Sequence, residues 1–273
     1  MGLGMARRIA RAGYLAAVYN RTASKAQDLA EELQVTALQP EELAAQVDLV
    51  LICVSADQDV LEMITAIGKT IKPGSIVVDI STVSSDTALT AAAMLAEKHV
   101  AFLDAPVSGG VEGAKNGTLS MMVGGDADIL EKARPVLATM TARITHMGAT
   151  GSGQATKAVN QIMAAGINQA VTEALAFAQA QQLPMDKVVD VISAGAAGNW
   201  FLQHRGLSMT NGTFIPGFKV SLHHKDLLIC QAMADQVNTP IPVSAMTINN
   251  YAKLISAGYG DEDISALYRL KRL

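Results

Sequence analysis

The residues best suited to chemistry lie near the middle of the chain, where Gly153, Lys157 and Asn160 follow one another at spacings of four and three residues. Such spacing places all three on one face of a helix, and the rest of that face is apolar. A lysine there either extends its ammonium to solvent or carries a functional ammonium. The asparagine one turn on, together with glycines that thin the helix start, favours a functional Lys157.

A second candidate site is the stretch Ser108-Gly109-Gly110. Two consecutive glycines let the backbone approach a ligand closely and direct N–H groups at a carboxylate, and the Ser108 hydroxyl adds one donor. A tight turn with no ligand is the alternative for these three residues alone.

Candidate nucleotide-binding residues follow three predicted strands. Asn20-Arg21-Thr22 comes after the first, and an arginine at such a strand tip suits a 2′-phosphate, although an ordinary solvated arginine is the simpler alternative. Val54-Ser55 ends the next strand and Ser81-Thr82 the third. A Ser/Thr pair at a strand end also serves as a helix N-cap, so this signal is weak by itself.

The elements that must position these residues form two series. In the first half, strands predicted at 14–19, 47–54, 75–80, 100–103 and 119–123 alternate with helices, which favours a mainly parallel sheet covered on both faces. One long helix is then predicted over 153–182, followed only by helices, at 186–194, 200–209, 225–236, 242–257 and 263–270. We therefore predict an α/β, doubly wound Rossmann-type domain over 1–149, and a long interdomain helix leading into an all-helical domain over 150–273.

Composition narrows the function. The chain has 273 residues, half of them apolar, and its formal charge of −4 offers no basic surface for nucleic acid. No apolar run approaches the roughly 20 residues of a membrane span. Cys53 and Cys230 are too far apart in sequence for a disulfide scaffold or a metal site, which favours a cytoplasmic protein. The adjacent His223 and His224 point about 100° apart on a helix, so we expect no metal there.

Several longer motifs occur in one order: Asp-x-Ser-Thr at 79–82, Asp-Ala-Pro-Val-Ser-Gly-Gly at 104–110, Gly-x-Gly-x-x-x-Lys-x-x-Asn at 151–160, and Pro-Gly-Phe at 216–218 before Leu-x-x-Lys-Asp-Leu at 222–227. In these motifs the chain resembles the β-hydroxyacid dehydrogenases of the 3-hydroxyisobutyrate dehydrogenase and tartronate-semialdehyde reductase type. The resemblance runs from Met1 to the Gly-x-Gly-x-x-Asp-x-Ser stretch at 258–265.

This resemblance implies hydride transfer between NAD(P) and a short β-hydroxyacid or its semialdehyde. Lys157 would be the general acid/base, Asn160 and the Ser108–Gly110 turn would bind the carboxylic-acid substrate, and Lys225, oriented by Asp226, would reach both substrate and cofactor. The family also implies a homodimer or homotetramer. The long helical domain of 6-phosphogluconate dehydrogenase does not fit this length, and imine reductases replace the lysine that is present here.

By the same resemblance, the cofactor would contact Gly2, residues 20–22, Val54, Ser55, Thr82 and Lys225. Ser55 departs from the Leu-Pro that is usual in the family, which puts its contact in doubt. Arg21 favours NADP over NAD. Trp200, the single tryptophan, would either line the substrate pocket or fill the helical core.

The first residues resemble the helix that follows a dinucleotide fingerprint, with Gly2 as the third glycine. On that alignment the first strand and the first two glycines are absent, which predicts a misplaced start, a fragment or a true deletion. The alternative function that follows from such a loss is a non-catalytic scaffold or oligomerisation relative.

Overall fold

The chain divides inside its longest helix. A computed structural model, which describes residues 1–271, shows one unit over Met1–Lys157 and a second that begins at Ala158. The division lies further along than the predicted boundary at 149, because the start of the long helix is hydrogen-bonded to the first unit. Residues 272 and 273 of the predicted second domain lie outside the described residues.

The first unit alternates strands and helices as predicted. Its helices are α1 Gly2–Arg11, α2 Ala23–Leu33, α3 Pro40–Ala44, α4 Asp57–Ile67, α5 Ser85–Ala96, α6 Gly110–Asn116, α7 Ala127–Leu137 and the start of α8 Ser152–Ala180. Its strands are β1 Ala17–Val18, β2 Thr36–Ala37, β3 Leu49–Ile52, β4 Ile76–Asp79, β5 Ala101–Asp104, β6 Val107–Ser108, β7 Leu119–Gly124 and β8 Thr141–Gly148. Four of these elements, β2, β6, α3 and α6, were not predicted because they are too short to show a clear period. Strand β8 was not predicted either, and its residues are mostly exposed without a regular alternation of buried and exposed positions.

A six-stranded sheet, in the order β3-β4-β5-β7-β6 with β8 paired to β7, forms the centre of this unit. Strands β3, β4 and β5 are parallel and in register, with Ile76 opposite both Leu49 and Ala101. The expected mainly parallel sheet is correct there, but β7 runs antiparallel to β5 and β6. The connection from β6 to β7 explains this direction. It contains only the seven-residue helix α6, and a connection that short returns the chain antiparallel, whereas a parallel crossover needs a dozen or more residues.

Strands β1 and β2 form a separate two-stranded parallel sheet. We expected residues 14–19 to be a buried strand, and that expectation is wrong at both ends, because Tyr14 is 52% exposed and Tyr19 36% exposed. Only Ala17 and Val18 pair with β2. The described part of the chain places no strand between this small sheet and the edge strand β3.

Both faces of the larger sheet are covered, as the hydrophobic strand sequences predicted. Val78 and Leu103 face one core, to which α1, α6 and α7 contribute Met5, Ala114 and Leu130. Alternate residues of the same strands face a second core against α4 and α5, with the following members: Val50, Val77, Phe102, Val60, Ile64, Ala88 and Leu95. This two-sided burial confirms the α/β, Rossmann-like architecture.

The buried carboxylate of Asp104, the last residue of β5, binds the start of α8. Its Oδ1 accepts a hydrogen bond from the N–H of Gly151 at 2.8 Å, and its Oδ2 accepts one from the N–H of Gln154 at 2.9 Å. Glycines make this approach possible: a Cβ added at Gly124 would lie 2.4 Å from Asp104 Oδ1, and one at Gly153 would lie 2.4 Å from Asp104 O. A carboxylate at a helix N-terminus is favoured by the free N–H groups and the helix dipole.

A second buried carboxylate, Asp79, ends the neighbouring strand β4 directly beside Asp104. Its Oδ1 accepts a hydrogen bond from the N–H of Ser81 at 2.9 Å, while Oδ2 has no hydrogen-bond partner among the described residues. Loss of solvation raises the pKa of Asp79 to about 6, and the nearby charge of Asp104 contributes in the same direction.

Because the pKa of Asp79 is raised, we expect this residue to make the free energy of unfolding depend on pH, and Asp79→Asn should remove that contribution. An acid whose folded-state pKa is raised stabilises the fold below about pH 4 and loses that contribution as the pH rises to about 6. The difference in unfolding free energy between variant and wild type should therefore change in favour of the variant, by up to about 3 kcal/mol, between pH 4 and pH 7. Urea unfolding across this range measures it, and a difference that stays constant with pH contradicts the assignment.

The second unit is helical throughout its described residues. It contains the remainder of α8, then α9 Met185–Ser193, α10 Trp200–Thr210, α11 Val220–Gln236, α12 Pro242–Ser256 and a 3₁₀ helix at Ile264–Lys271, which confirms the predicted all-helical region. Its core includes Leu175, Leu227, Tyr251 and Tyr268. No described helix in either unit is both long enough and apolar enough to cross a membrane.

Two adjacent leucines of α11 test this packing. Leu227 is fully buried, whereas Leu228 is 45% exposed. We expect Leu227→Ala to lower the free energy of unfolding by roughly 2–5 kcal/mol, because it leaves a cavity in the helical core. Leu228→Ala is the matched control and should cost less than about 1 kcal/mol. Urea unfolding of both variants measures the difference, and equal losses would contradict the described burial of α11.

Candidate active site

The carboxyl ends of β3, β4 and β5 lie at one edge of the sheet because these strands are parallel. Three groups of predicted site residues therefore meet there: Val54 and Ser55 after β3, Thr82 after β4, and Ser108 in the segment after β5. The N–H of Val54 donates to Ser81 Oγ at 2.9 Å, which joins the first two groups directly. Ligands of open α/β sheets bind at this edge.

Arg21 lies between β1 and α2, at the tip of the smaller sheet. Its side chain is 84% exposed, and its Nη1 lies 3.2 Å from Oδ1 of Asp59, in the first turn of α4. Asn20 donates from Nδ2 to the carbonyl of Thr22, the residue before α2, and both are exposed. The structure thus holds the predicted 20–22 segment close to the helix that follows Ser55.

Gly2 is the first residue of α1, and no side chain caps this helix end. A Cβ added at Gly2 would lie 3.9 Å from Sγ of Cys53, the residue after β3. The N-terminal N–H groups of the helix are therefore beside the carboxyl end of β3, and that of Gly2 is hydrogen-bonded to the Cys53 thiol. An uncapped helix N-terminus suits a pyrophosphate, and the exposed guanidinium of Arg21 suits an adenosine phosphate, so the donors present fit NAD(P).

Lys157 is 7% exposed, and its Nζ donates to the carbonyl oxygen of Val107 at 3.0 Å. That carbonyl directly precedes the Ser108-Gly109-Gly110 turn. Gly109 has φ of +129° and Gly110 has φ of +64°, conformations that side-chain-bearing residues rarely adopt. The structure therefore joins two features that are 50 residues apart in sequence, the lysine ammonium and the glycine turn.

Gln154 is a site-positioning residue that the sequence analysis missed. It is 1% exposed, its Nε2 donates to the carbonyl of Ser81 at 2.9 Å, and its Oε1 accepts from the N–H of Val83 at 3.2 Å. These bonds bracket Thr82 and hold it beside the first turn of α8. Asp104 was also missed, except as part of a motif. The sequence around Gln154 carries no signal for this role, because Ser152, Thr156 and Lys157 are polar neighbours in the same helix start.

In the second unit, four polar side chains form a continuous chain of contacts. Asn160 Nδ2 donates to Gln161 Oε1 at 2.8 Å, and Gln161 Nε2 donates to Asp226 Oδ2 at 2.5 Å. Asp226 Oδ1 lies 2.9 Å from Lys225 Nζ, the ion pair that the sequence analysis expected. Gln161, 2% exposed, is the member that the sequence analysis missed. Asn160 and Lys225, 65 positions apart, are thereby held in one network.

His223 has a structural place in the same unit. It is fully buried, with Nδ1 at 3.1 Å from the Tyr251 hydroxyl and Nε2 at 3.2 Å from the carbonyl of Gln161. The carbonyl requires a proton on Nε2, so the Tyr251 hydroxyl donates to Nδ1. His224 is partly exposed, and burial lowers its pKa.

Trp200 begins α10 and stacks on His204, with ring centroids 4.2 Å apart. Because the tryptophan is 59% exposed, it does not fill the helical core, which was one of the two expectations for it.

Family models match both parts of the chain. Residues 1–148 match the NAD-binding domain of 6-phosphogluconate dehydrogenase, and residues 151–271 match the NAD-binding domain of NADP-dependent 3-hydroxyisobutyrate dehydrogenase.

Individual relatives agree with these models over nearly the full length of the chain. An uncharacterized oxidoreductase of Shewanella frigidimarina is 36% identical, with 98% of this chain and 93% of the relative aligned. An NAD-dependent L-serine dehydrogenase of Pseudomonas aeruginosa is 31% identical over 99% of this chain and 94% of its own length. The structure of 3-hydroxyisobutyrate dehydrogenase from Mycobacterium tuberculosis with L-serine superposes with a TM-score of 0.90 at 30% identity, covering 100% of this chain and 96% of that one. The chain belongs to the β-hydroxyacid dehydrogenase family of NAD(P)-dependent oxidoreductases.

Proposed function

We propose that the protein transfers hydride between NADP and a short β-hydroxyacid or its semialdehyde, with Lys157 as the general acid/base. The observation that carries this proposal is the placement of a nearly buried ammonium at the carbonyl before a positive-φ glycine turn, at the carboxyl edge of a nucleotide-binding sheet. An ammonium in such a place costs solvation, and a catalytic task accounts for it.

Lys157 would move the proton of the reaction. In the reducing direction, its ammonium protonates the carbonyl oxygen of the semialdehyde as that carbon becomes a hydroxymethyl carbon. In the oxidising direction, the neutral amine accepts the hydroxyl proton. The nicotinamide supplies or accepts the hydride when NAD(P) is bound. Positioned proton transfer of this kind is worth about 10²- to 10⁴-fold in rate.

The Ser108–Gly110 turn would bind the substrate carboxylate. Its exposed Gly109 and positive φ angles free N–H groups for an anion, and the partly exposed Ser108 hydroxyl adds a donor. We also propose that Asn160 contacts the substrate and that Lys225 contacts both the substrate and the cofactor. The contacts with Gln161 and Asp226 fix the orientation of these two side chains. The chemistry of these donors fits a small anion that also carries a hydroxyl or carbonyl oxygen.

Two observations support a β-hydroxyacid as the substrate class. The Pseudomonas aeruginosa relative is named for L-serine, and the Mycobacterium tuberculosis structure contains L-serine, which is itself a 3-hydroxy acid. For the cofactor, the exposed Arg21 supports NADP, as does the NADP-dependent description of the family model for residues 151–271. The NAD-dependent Pseudomonas relative makes the cofactor preference a matter for direct measurement.

A substrate panel tests the reaction class. We expect NADP⁺ reduction, followed at 340 nm, with 3-hydroxyisobutyrate, L-serine or D-glycerate, each of which carries a hydroxyl on the carbon β to its carboxylate. Lactate, which has only a 2-hydroxyl, is the matched control and should not react. Turnover of lactate but of none of the 3-hydroxy acids would contradict the proposed substrate class.

Lys157→Met should lower kcat by about 10²- to 10⁴-fold, because the variant has no group to exchange the substrate proton. NADPH binding, measured by fluorescence titration, should remain. Lys132→Met removes an exposed lysine of α7 and is the control, for which we expect wild-type rates. If Lys157→Met retains full activity, the proton-transfer role belongs to another residue.

A further inference from the structure

The contact between Arg21 and Asp59 joins two opposite charges that favour different cofactors. Arg21 is at the tip of β1, and Asp59 is in the first turn of α4, 38 residues later. The neighbouring Asp57 is occupied elsewhere, since its Oδ1 accepts from the N–H of Ser84 at 2.9 Å and from Thr87 Oγ1 at 2.7 Å. Asp59 is therefore the carboxylate of α4 that meets the predicted adenosine-binding segment.

The pair is held weakly. One nitrogen of Arg21 and one oxygen of Asp59 make the contact, at 3.2 Å, and the arginine side chain is 84% exposed. Single-contact ion pairs at the surface contribute about 0–1 kcal/mol and are screened by salt. Both charged groups can therefore exchange this contact for one with a ligand.

The two groups recognise different forms of the same ribose. A guanidinium binds a phosphate through parallel N–H donors, which favours the 2′-phosphate of NADP. A carboxylate accepts a hydrogen bond from the 2′-hydroxyl of NAD and repels the 2′-phosphate. Asp59 is the better anchored member, because its side chain is 23% exposed, so it stays near the ligand in either case.

We propose that Asp59 is a specificity-determining residue that opposes Arg21, so that the charge pair sets the ratio of NADP to NAD affinity. This inference rests on the proposed NAD(P) site at the tips of β1 and β3. It predicts a protein that binds both cofactors, with Arg21 favouring NADP and Asp59 moderating that preference.

Fluorescence titration with NADPH and NADH measures the effect, in wild type, Asp59→Asn, Arg21→Gln and the double variant. In Asp59→Asn the ratio of the NADH Kd to the NADPH Kd should rise by about tenfold, because repulsion of the phosphate is lost and the acceptor for the 2′-hydroxyl is no longer charged. In Arg21→Gln the ratio should fall by about tenfold. The double variant should show a smaller effect of Asp59→Asn, since contacting residues are not additive.

Control variants distinguish an effect of Asp59 on cofactor preference from an effect on the stability of α4. Asp59 also lies in the first turn of α4, where a negative charge stabilises the helix whatever the cofactor. Asp128→Asn, in the first turn of α7, removes a comparable charge and should leave the ratio unchanged. Asp59→Glu keeps the charge and should restore most of the wild-type ratio. Equal effects of Asp59→Asn on both cofactors would overturn the inference and indicate a structural role.

The same titration distinguishes failure of the role proposed for Asp59 from failure of the proposed NAD(P)-dependent function. If wild type binds at least one cofactor but Asp59→Asn leaves the ratio unchanged, the role of Asp59 is wrong and the NAD(P) site stands. If wild type binds neither NADPH nor NADH, the proposed function itself fails.

Discussion

The hydrogen bonds of Asp104 determine where the candidate catalytic lysine lies. This buried carboxylate ends a central strand and accepts the N–H groups of Gly151 and Gln154, so it holds the first turn of α8 against the sheet. Lys157 is one turn further along, and its ammonium contacts the carbonyl of Val107, three residues after Asp104. One residue therefore anchors both the helix that carries the lysine and the segment that carries the glycine turn. Glycines at 124 and 153 are required because no side chain fits beside this carboxylate.

Buried and exposed charges have different tasks in the first unit. Asp79 and Asp104 are fully buried, and desolvation raises the pKa of both, so these carboxylates lower the stability of the fold when they are charged. Each nevertheless fixes a backbone segment at the carboxyl ends of β4 and β5. The contact between Arg21 and Asp59 is single, and the arginine side chain is exposed, so the contact is weak and is screened by solvent. The fixed groups position the proposed reacting residues, and the exchangeable pair is the one that we propose discriminates between cofactors.

In the second unit, contacts between side chains hold the predicted site residues. The side chains of Asn160, Gln161, Asp226 and Lys225 contact one another in turn. A buried series of hydrogen bonds then runs from the carbonyl of Gln161 through His223 and Tyr251 to Asn168. Polar groups that are hydrogen-bonded to one another in this way have few alternative arrangements, although Asn168 Oδ1 has no hydrogen-bond partner among the described residues. These contacts fix side chains that could otherwise adopt many rotamers, which would lower the entropy cost of the proposed ligand binding.

The sequence by itself determined the fold class, the order of the main elements and the family, because hydrophobic period and contiguous motifs are local properties of the chain. It also indicated Lys157 and the Ser108–Gly110 turn, whose residue types are unusual where they stand. It did not reveal the partners of Asp104, Gln154, Gln161 and Asp59, nor the antiparallel course of β6 and β7. Those contacts join residues up to 73 positions apart, and many pairings are compatible with the same sequence until the chain is folded. Only the tertiary structure decided these contacts. A hydrogen bond forms or fails on differences of a few tenths of an ångström in donor–acceptor distance, which spacing along the chain does not encode.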